Sequence, residues 1–346
     1  MDEARKLRVI QWSVGNIGRR SLQAVIEHPQ LELVGVHVTT PGRAGLDAGA
    51  LCGVPPVGVI ATSSVDEIVA LDADCVIYMR QGLDLDDICR LLESGKNVVT
   101  TRGEFHYPPM MEPTFRARVE AACVKGGTSI YSTGSSPGFI SEALPIQLAS
   151  MQRRFDSLTI TEYGNMEKRD SPDLIFNVLG YGKTPAEFDT SHMHHLREMF
   201  SGTLAQLGNA IGLPPEDFTV GCETALANHD EQVVAGPLKK GTVAAQKITV
   251  SALRGGRPYL NFIGLWFISR DIDQDWEFMD IGWRVRIDGD APMDMTIAYP
   301  IAPQDYTAMT PGYTAHRAVN AVATVCAAAP GIRTTADMAQ IIAQFG

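Results

Sequence analysis

Residues 7–29 decide the fold: LRVIQW (7–12) runs into SVGNIG (13–18) and then into RRSLQAVIEHP (19–29). The first stretch is a short apolar run with the composition of a buried strand, and the last repeats its apolar residues at helical spacing. Between them is a tight turn with two glycines, so the stretch reads as strand, turn and helix. The dinucleotide fingerprint GxGxxG needs one glycine for the turn, a second for backbone approach to a pyrophosphate and a third for helix packing. Ser13 stands in the first place, and Gly15 and Gly18 fill the other two. A helix opening near Asn16 presents free N–H groups and a positive dipole end to phosphates, with Ile17 and Arg19 beside them. A two-glycine turn alone is a weak signal, and a purely structural turn is the alternative. The strand–helix units that follow favour the nucleotide.

LELVGVHV (31–38) is a second buried strand, 75–79 and 98–101 are two more, and 128–132 is another, with amphipathic stretches such as 84–94 between them. Strand alternating with helix implies a parallel sheet with right-handed crossovers. Beyond about residue 155 the pattern changes: helical segments at 171–181 and 190–211 precede alternating strands at 243–254, 258–270, 276–288 and 293–299. Strands in succession imply antiparallel pairing. The expected class is α/β. A Rossmann-type doubly wound parallel sheet occupies 1–145, and an α+β substrate-binding and dimerisation domain with an open, mostly antiparallel sheet occupies 146–305. A C-terminal segment, 306–346, carries an apolar helix at 311–329 that returns to the first domain.

The 346 residues include 45% hydrophobic and 20% charged side chains, the profile of a globular enzyme. A net charge of -11 argues against nucleic acid or an anionic membrane as partner, because an acidic surface gains nothing from a polyanion. Six cysteines without a CxxC pair indicate neither a disulfide framework nor a zinc site, and suit free thiols in a reducing cytosol. The N-terminus has no apolar signal core and no 18-residue apolar run occurs, so the expected location is cytoplasmic.

An acid on the cofactor ribose is expected roughly 20 residues after the fingerprint, at the end of the second strand. His37, Val38, Thr39 and Thr40 stand there, with Arg43 behind them and Arg19 and Arg20 after the last glycine. Hydroxyls and arginines without an acid favour NADP(H), or use of both NADP(H) and NAD(H); solvated surface arginines are the alternative. Arg80 and Thr101, at two further strand ends, join the cofactor set. After strand 98–101 comes RGEFHYPP (102–109). Ligands of open α/β sheets sit outside the carboxyl ends of the strands, so this turn faces the nicotinamide and makes Glu104 the candidate acid/base. Flanked by Phe105 and Tyr107, its carboxylate is expected to be desolvated, to exchange protons near neutral pH and to stabilise a cationic imine. A capping or surface glutamate is the alternative.

The turn SSPGF (135–139) is a second strand end bordering the site, with Ser136 and Pro137 toward the nicotinamide amide and Phe139 toward substrate. EYGN (162–165) ends a strand of the second domain and offers Tyr163 and Asn165, and His192, His195 and Met199 share one helical face. These are the expected pocket residues. HMHH (192–195) lacks the i, i+4 histidine pair and glutamate of a zinc helix, so no metal is expected, and no Ser-His-Asp order, Walker loop or EF-hand loop occurs.

VIQWSVGNIGRRSLQAVIEHPQLELVGVHV, the TGSSPGF turn and the tail TPGYTAHRAVNAVATVCAAAPGI resemble the dihydrodipicolinate reductase-like oxidoreductases. Within them the chain most resembles the branch of 2,4-diaminopentanoate dehydrogenase and the native amine dehydrogenases. The KxDAPSGTA-type loop and preceding histidine pair of true dihydrodipicolinate reductases are missing, which argues against that reaction. The resemblance implies a homodimer, NADPH or NADH, a returning C-terminal helix, and a catalytic glutamate on a loop after a Rossmann strand, matched by Glu104 in RGEF. The expected activity is reversible reductive amination of a ketone or aldehyde with ammonia. Reduction of a carbonyl or cyclic imine without ammonia is the enzymatic alternative, and a non-catalytic NADP-binding sensor is the alternative from another class.

Overall fold

The computed structural model describes residues 5–189 and 192–345, the side chains of 192–195 and 303 excepted. The chain forms two compact units, one of residues up to 139 together with those from 307 on, the other of residues 140–306.

The first unit alternates β1 (Leu7–Trp12), α1 (Asn16–Glu27), β2 (Leu31–His37), α2 (Ala48–Cys52), α3 (Val65–Ala70), β3 (Cys75–Tyr78), α4 (Leu85–Glu93), β4 (Asn97–Thr100), α5 (Pro113–Gly126) and β5 (Ser129–Ser132). Its strands are short and nearly continuously apolar because both sheet faces are covered. On one face Ile10, Val76 and Val98 pack with Ile88, Leu91, Leu92 and Val119 of α4 and α5. On the other, Val9, Ile77 and Val99 pack with Val25 of α1 and with Ala318, Val322 and Val325 near the C-terminus. The sheet is six-stranded and parallel, in the order β14-β5-β4-β3-β1-β2, with β14 (Gly331–Arg333) at its edge. Strand order reverses between β1 and β3, the doubly wound arrangement whose switch point takes ligands at the carboxyl ends.

The second unit contains α6 (Leu144–Ala149), β6 (Phe155–Asn165), α7 (His192–Ala210), β7 (Asp217–Leu226), β8 (Glu231–Val233), β9 (Gly236–Leu238), β10 (Val243–Arg254), β11 (Arg257–Phe267), β12 (Ile281–Gly289) and β13 (Met293–Ala298). Its main sheet runs β13-β12-β6-β11-β10-β7. All pairs are antiparallel except β6 with β11, so the sheet is mixed. Gly255 and Gly256, at φ +56° and +71°, make the two-residue hairpin between β10 and β11, where both positions need a left-handed backbone. Alternate residues of each strand enter two separate cores. Leu158, Ile160, Phe262 and Val285 meet Phe200, Leu204 and Leu207 of α7. Tyr163, Leu265 and Phe267 meet Ile175 and Tyr181 on the other face.

Several elements depart from the sequence reading. The edge strand β7 was not anticipated, since only Ala225 within DFTVGCETAL is buried. The helix expected at 171–181 is a single wide turn at Asp173–Val178, followed by Gly180 and Gly182 at φ +76° and +72°. The strand expected from 276 begins at Ile281, because Trp276 and Phe278 pack onto the sheet face instead of extending it. The C-terminal helix is α8 (Tyr306–Asn320) followed by α9 (Val322–Cys326), and the chain then adds β14 beside β5. Among the described residues no helix is long and apolar enough to cross a membrane.

The backbones of α4 and α5 touch at Gly126, where an added Cβ would lie 1.9 Å from the Leu92 carbonyl oxygen. Gly126→Ala should therefore destabilise the first unit by about 1–3 kcal/mol, the usual cost of overpacking, read as a lower midpoint in denaturant unfolding.

Candidate functional site

The turn after β1 is braced from below and behind. Ser13 has φ +69°, a left-handed conformation that costs a side-chain-bearing residue about 1 kcal/mol or more and so needs support. Its N–H donates to the His37 carbonyl at 2.8 Å, and the buried Gln11 amide donates to its carbonyl at 2.8 Å. Gln11 in turn accepts the Ser21 hydroxyl of α1 at 2.8 Å, which links strand, turn and helix. A Cβ at Gly18 would lie 2.2 Å from the Ser13 carbonyl oxygen, so α1 can rest on the turn only with glycine there. At Gly15 a Cβ would meet nothing within 4 Å. No side chain caps α1 and no acid stands in its first turn. The start of α1 thus has open space at Gly15 and neither a side-chain cap nor an acid to compete for its N–H groups, a cradle that fits a pyrophosphate.

Around this turn the sequence-selected residues take different places. Arg43 donates to the Val14 carbonyl, which lays its guanidinium across the turn. Arg19 donates to the Cys52 carbonyl at 3.3 Å, Asn16 and Thr39 are exposed, and Ile17 is half-buried. Arg80 is bound by two carboxylates at the start of α4, Asp84 at 3.1 Å and Asp87 at 3.0 Å, so its charge is already met. Where a ribose-binding acid would stand, His37 is buried and stacked on Trp12, the ring centroids 3.9 Å apart. Burial lowers its pKa, leaving the ring neutral at neutral pH.

Two more strand ends lie on the same edge of this sheet. Thr101 follows β4 and donates its hydroxyl to the Met79 sulfur at 3.6 Å. After β5, the Thr133 N–H donates to the Thr100 carbonyl at 2.9 Å. The hydroxyls of Thr133, Ser136 and Ser13 are all buried without a hydrogen-bond partner among the described residues. Three orphaned hydroxyls at strand carboxyl ends are a cost unless a ligand meets them. The sequence reading missed Thr133, although it stands after β5 as Thr101 stands after β4. The Ser136–Pro137 peptide is cis, and Gly138, at φ +133°, folds the loop back until a Cβ would approach the Thr133 hydroxyl to 2.9 Å. Ser135 ties the loop to Thr314 of α8 at 2.8 Å, and Phe139 remains partly exposed beneath the Arg317 guanidinium.

Glu104 lies in one tight helical turn, Gly103–Phe105, just beyond β4. The Arg102 guanidinium bridges its carboxylate and the Gln81 carbonyl at the end of β3. The expected desolvation is not found. The turn sends Phe105 into the core against Phe115, 5.4 Å between ring centroids, and leaves the Glu104 side chain 38% exposed.

The second unit separates residues expected to share a pocket. Tyr163 belongs to the core around Phe267, whereas Met199, on α7, packs against the core on the opposite face of the sheet. Asn165, two residues beyond Tyr163 on β6 and so on the same face, accepts the Glu167 N–H at 2.9 Å. The side chains of His192 and His195 lie outside the described residues. Glu162, which the sequence reading noted only as part of a strand end, is half-buried and accepts the Trp266 indole N–H at 3.2 Å. Burial pushes its carboxyl up to about 7. Nothing in the local sequence distinguishes it, because its setting comes from two other strands.

No family model matches the chain. An amine dehydrogenase of Streptomyces virginiae is 26% identical over 96% of this chain and 96% of its own. A 2,4-diaminopentanoate dehydrogenase of Acetoanaerobium sticklandii is 24% identical over 69% of this chain and 70% of its own. The solved structure of an amine dehydrogenase from Mycobacterium smegmatis superposes with a TM-score of 0.75 at 19% identity, covering 98% of this chain and 97% of that one, which shows the shared fold. The chain is thus similar in sequence to an amine dehydrogenase over nearly its whole length and to a 2,4-diaminopentanoate dehydrogenase over about two thirds of it, and it shares the fold of a solved amine dehydrogenase.

Proposed function

We propose that the protein is an NAD(P)H-dependent amine dehydrogenase that joins a small ketone or aldehyde to ammonia, reversibly, with Glu104 as its proton carrier. The observation that carries this reading is the place of Glu104, on the carboxyl edge of the parallel sheet whose β1–α1 turn forms the anion cradle. The similarity to an amine dehydrogenase over 96% of the chain supports it.

The backbone of Gly15, Asn16, Ile17 and Gly18 would hold the cofactor phosphates. Arg19, Thr39 and Arg43 would meet its ribose end, and Thr101, Thr133, Ser136 and Pro137 its nicotinamide end. When bound, the nicotinamide supplies the hydride in one direction and accepts it in the other. NADP(H) is the favoured form and NAD(H) is accepted, because the neutral His37 ring replaces an acid and Arg43 lies across the turn. On the protein side, the Glu104 carboxylate takes a proton from ammonium, the ammonia so released adds to the carbonyl carbon, and the Glu104 carboxyl gives that proton to the hydroxyl that departs as water. The resulting carboxylate then faces an iminium cation, which it stabilises as the positive charge develops. Arg102 holds that carboxyl in place between turns of the cycle. The free thiols of Cys52, Cys75, Cys89 and Cys123 suit the reducing cytoplasm in which we place the protein, and the family resemblance supports a homodimer acting on small molecules.

Glu104→Gln should bind NADPH as the parent does and lose at least about 100-fold in turnover, the lower range for a general acid; rapid-mixing and equilibrium titration separate the two. NAD(P)H consumption across small ketones and aldehydes should require ammonium. Equal consumption without it would make the protein a carbonyl or imine reductase, and nucleotide binding without any consumption would make it a sensor. Arg43→Ala should weaken NADPH by about tenfold and NADH far less, since a guanidinium–phosphate bond contributes on the order of 1.4 kcal/mol or more.

A further inference from the structure

We propose that Glu162, with the indoles of Trp266 and Trp283, forms a binding site for the ammonium group of an organic amine on the α7-covered face of the second unit's sheet. The proposal rests on the amine reading above and names the group that recognises the amine's charge.

Strand register builds the arrangement. Glu162 of β6 stands opposite Gly264 of β11 on one side and opposite Trp283 of β12 on the other, so the three positions share one face. Trp266 lies two residues beyond Gly264 on that face. Its indole crosses the sheet over two glycines: a Cβ at Gly164 would lie 2.7 Å from its Cδ1, and one at Gly264 would lie 3.3 Å from its Cε2. Only a floor without side chains lets the ring lie there and donate its N–H to Glu162. Trp283 is held from beyond by donating to the Tyr299 hydroxyl at 3.2 Å. A void no larger than a water molecule, walled by Phe200, Phe262, Gly264 and Trp266, adjoins the indole, so an alkyl substituent enters only if these side chains shift.

Among the described residues the site lacks a cation. One carboxylate oxygen accepts the indole N–H, and no Lys, Arg or His among the described residues pairs with Glu162. A carboxyl partly removed from water without a counter-charge gains most from a ligand that is both positive and a hydrogen-bond donor. An alkylammonium group meets both needs, and aromatic faces add cation–π attraction. A neutral alcohol of the same shape gains neither.

The test is equilibrium binding to the full chain without nucleotide, by calorimetry and tryptophan emission, with isobutylammonium chloride as probe and isobutanol as its uncharged counterpart. Saturable binding of the ammonium is expected, weakened about tenfold or more in Glu162→Gln, the loss that follows from removing a charge-assisted hydrogen bond. Glu162→Asp, which keeps the charge at shorter reach, should fall between the two and serves if the glutamine variant fails to fold. No saturable binding by the parent, equal binding of the alcohol, or glutamine-variant binding within about twofold of the parent overturns the proposal. Because no turnover is read, a protein that binds the ammonium through Glu162 but never consumes NAD(P)H with ammonia sinks the reaction assignment alone.

Discussion

Helix α1 rests directly on the backbone of the turn that starts it, and the rest of the first unit is arranged around that contact. The Gly18 position leaves no room for a methyl group above the Ser13 carbonyl, and Gln11 fastens the same carbonyl to α1 through Ser21. This close approach aims the uncapped start of α1 over open space at Gly15, at the point where strand order reverses. It also explains how a serine holds a place usually given to glycine: its strained φ is stabilised by hydrogen bonds at both its N–H and its carbonyl.

The two sheets use their residues differently. In the first, strands of three to seven residues are covered on both faces, so side chains there serve packing and the buried hydroxyls without partners among the described residues gather in the loops at their carboxyl ends. In the second, neighbouring residues of one strand point into different cores, and the step from Glu162 to Tyr163 exchanges one environment for the other. A polar group on such a strand takes its character from whatever the adjacent strands place beside it. For Glu162 that is two glycines, which admit an indole, and a second tryptophan on the far side.

Glu104 illustrates the opposite balance. Its aromatic neighbours in sequence do not surround it, because a single tight turn sends Phe105 inward and the carboxylate outward. Its electrostatic partner is instead Arg102, two residues before it, which also grips the end of β3. The acid is thus held by an ion pair and remains open to water.

The run LRVIQWSVGNIGRRSLQAVIEHP determined a strand–turn–helix corner by itself, since residue-to-residue periodicity and two glycine positions are local properties. The alternation that follows likewise determined a parallel sheet, and the place of Glu104 just beyond a strand was legible from its spacing. Tertiary structure alone decided what depends on residues distant in the chain. It closed the first sheet with the three-residue β14, added the exposed edge strand β7, and orphaned the Thr133 hydroxyl. It also split Tyr163 from Met199 and brought Trp266 onto Glu162. The physical reason is the same throughout: local sequence sets which face a side chain occupies, but only strand order and register set what that face meets.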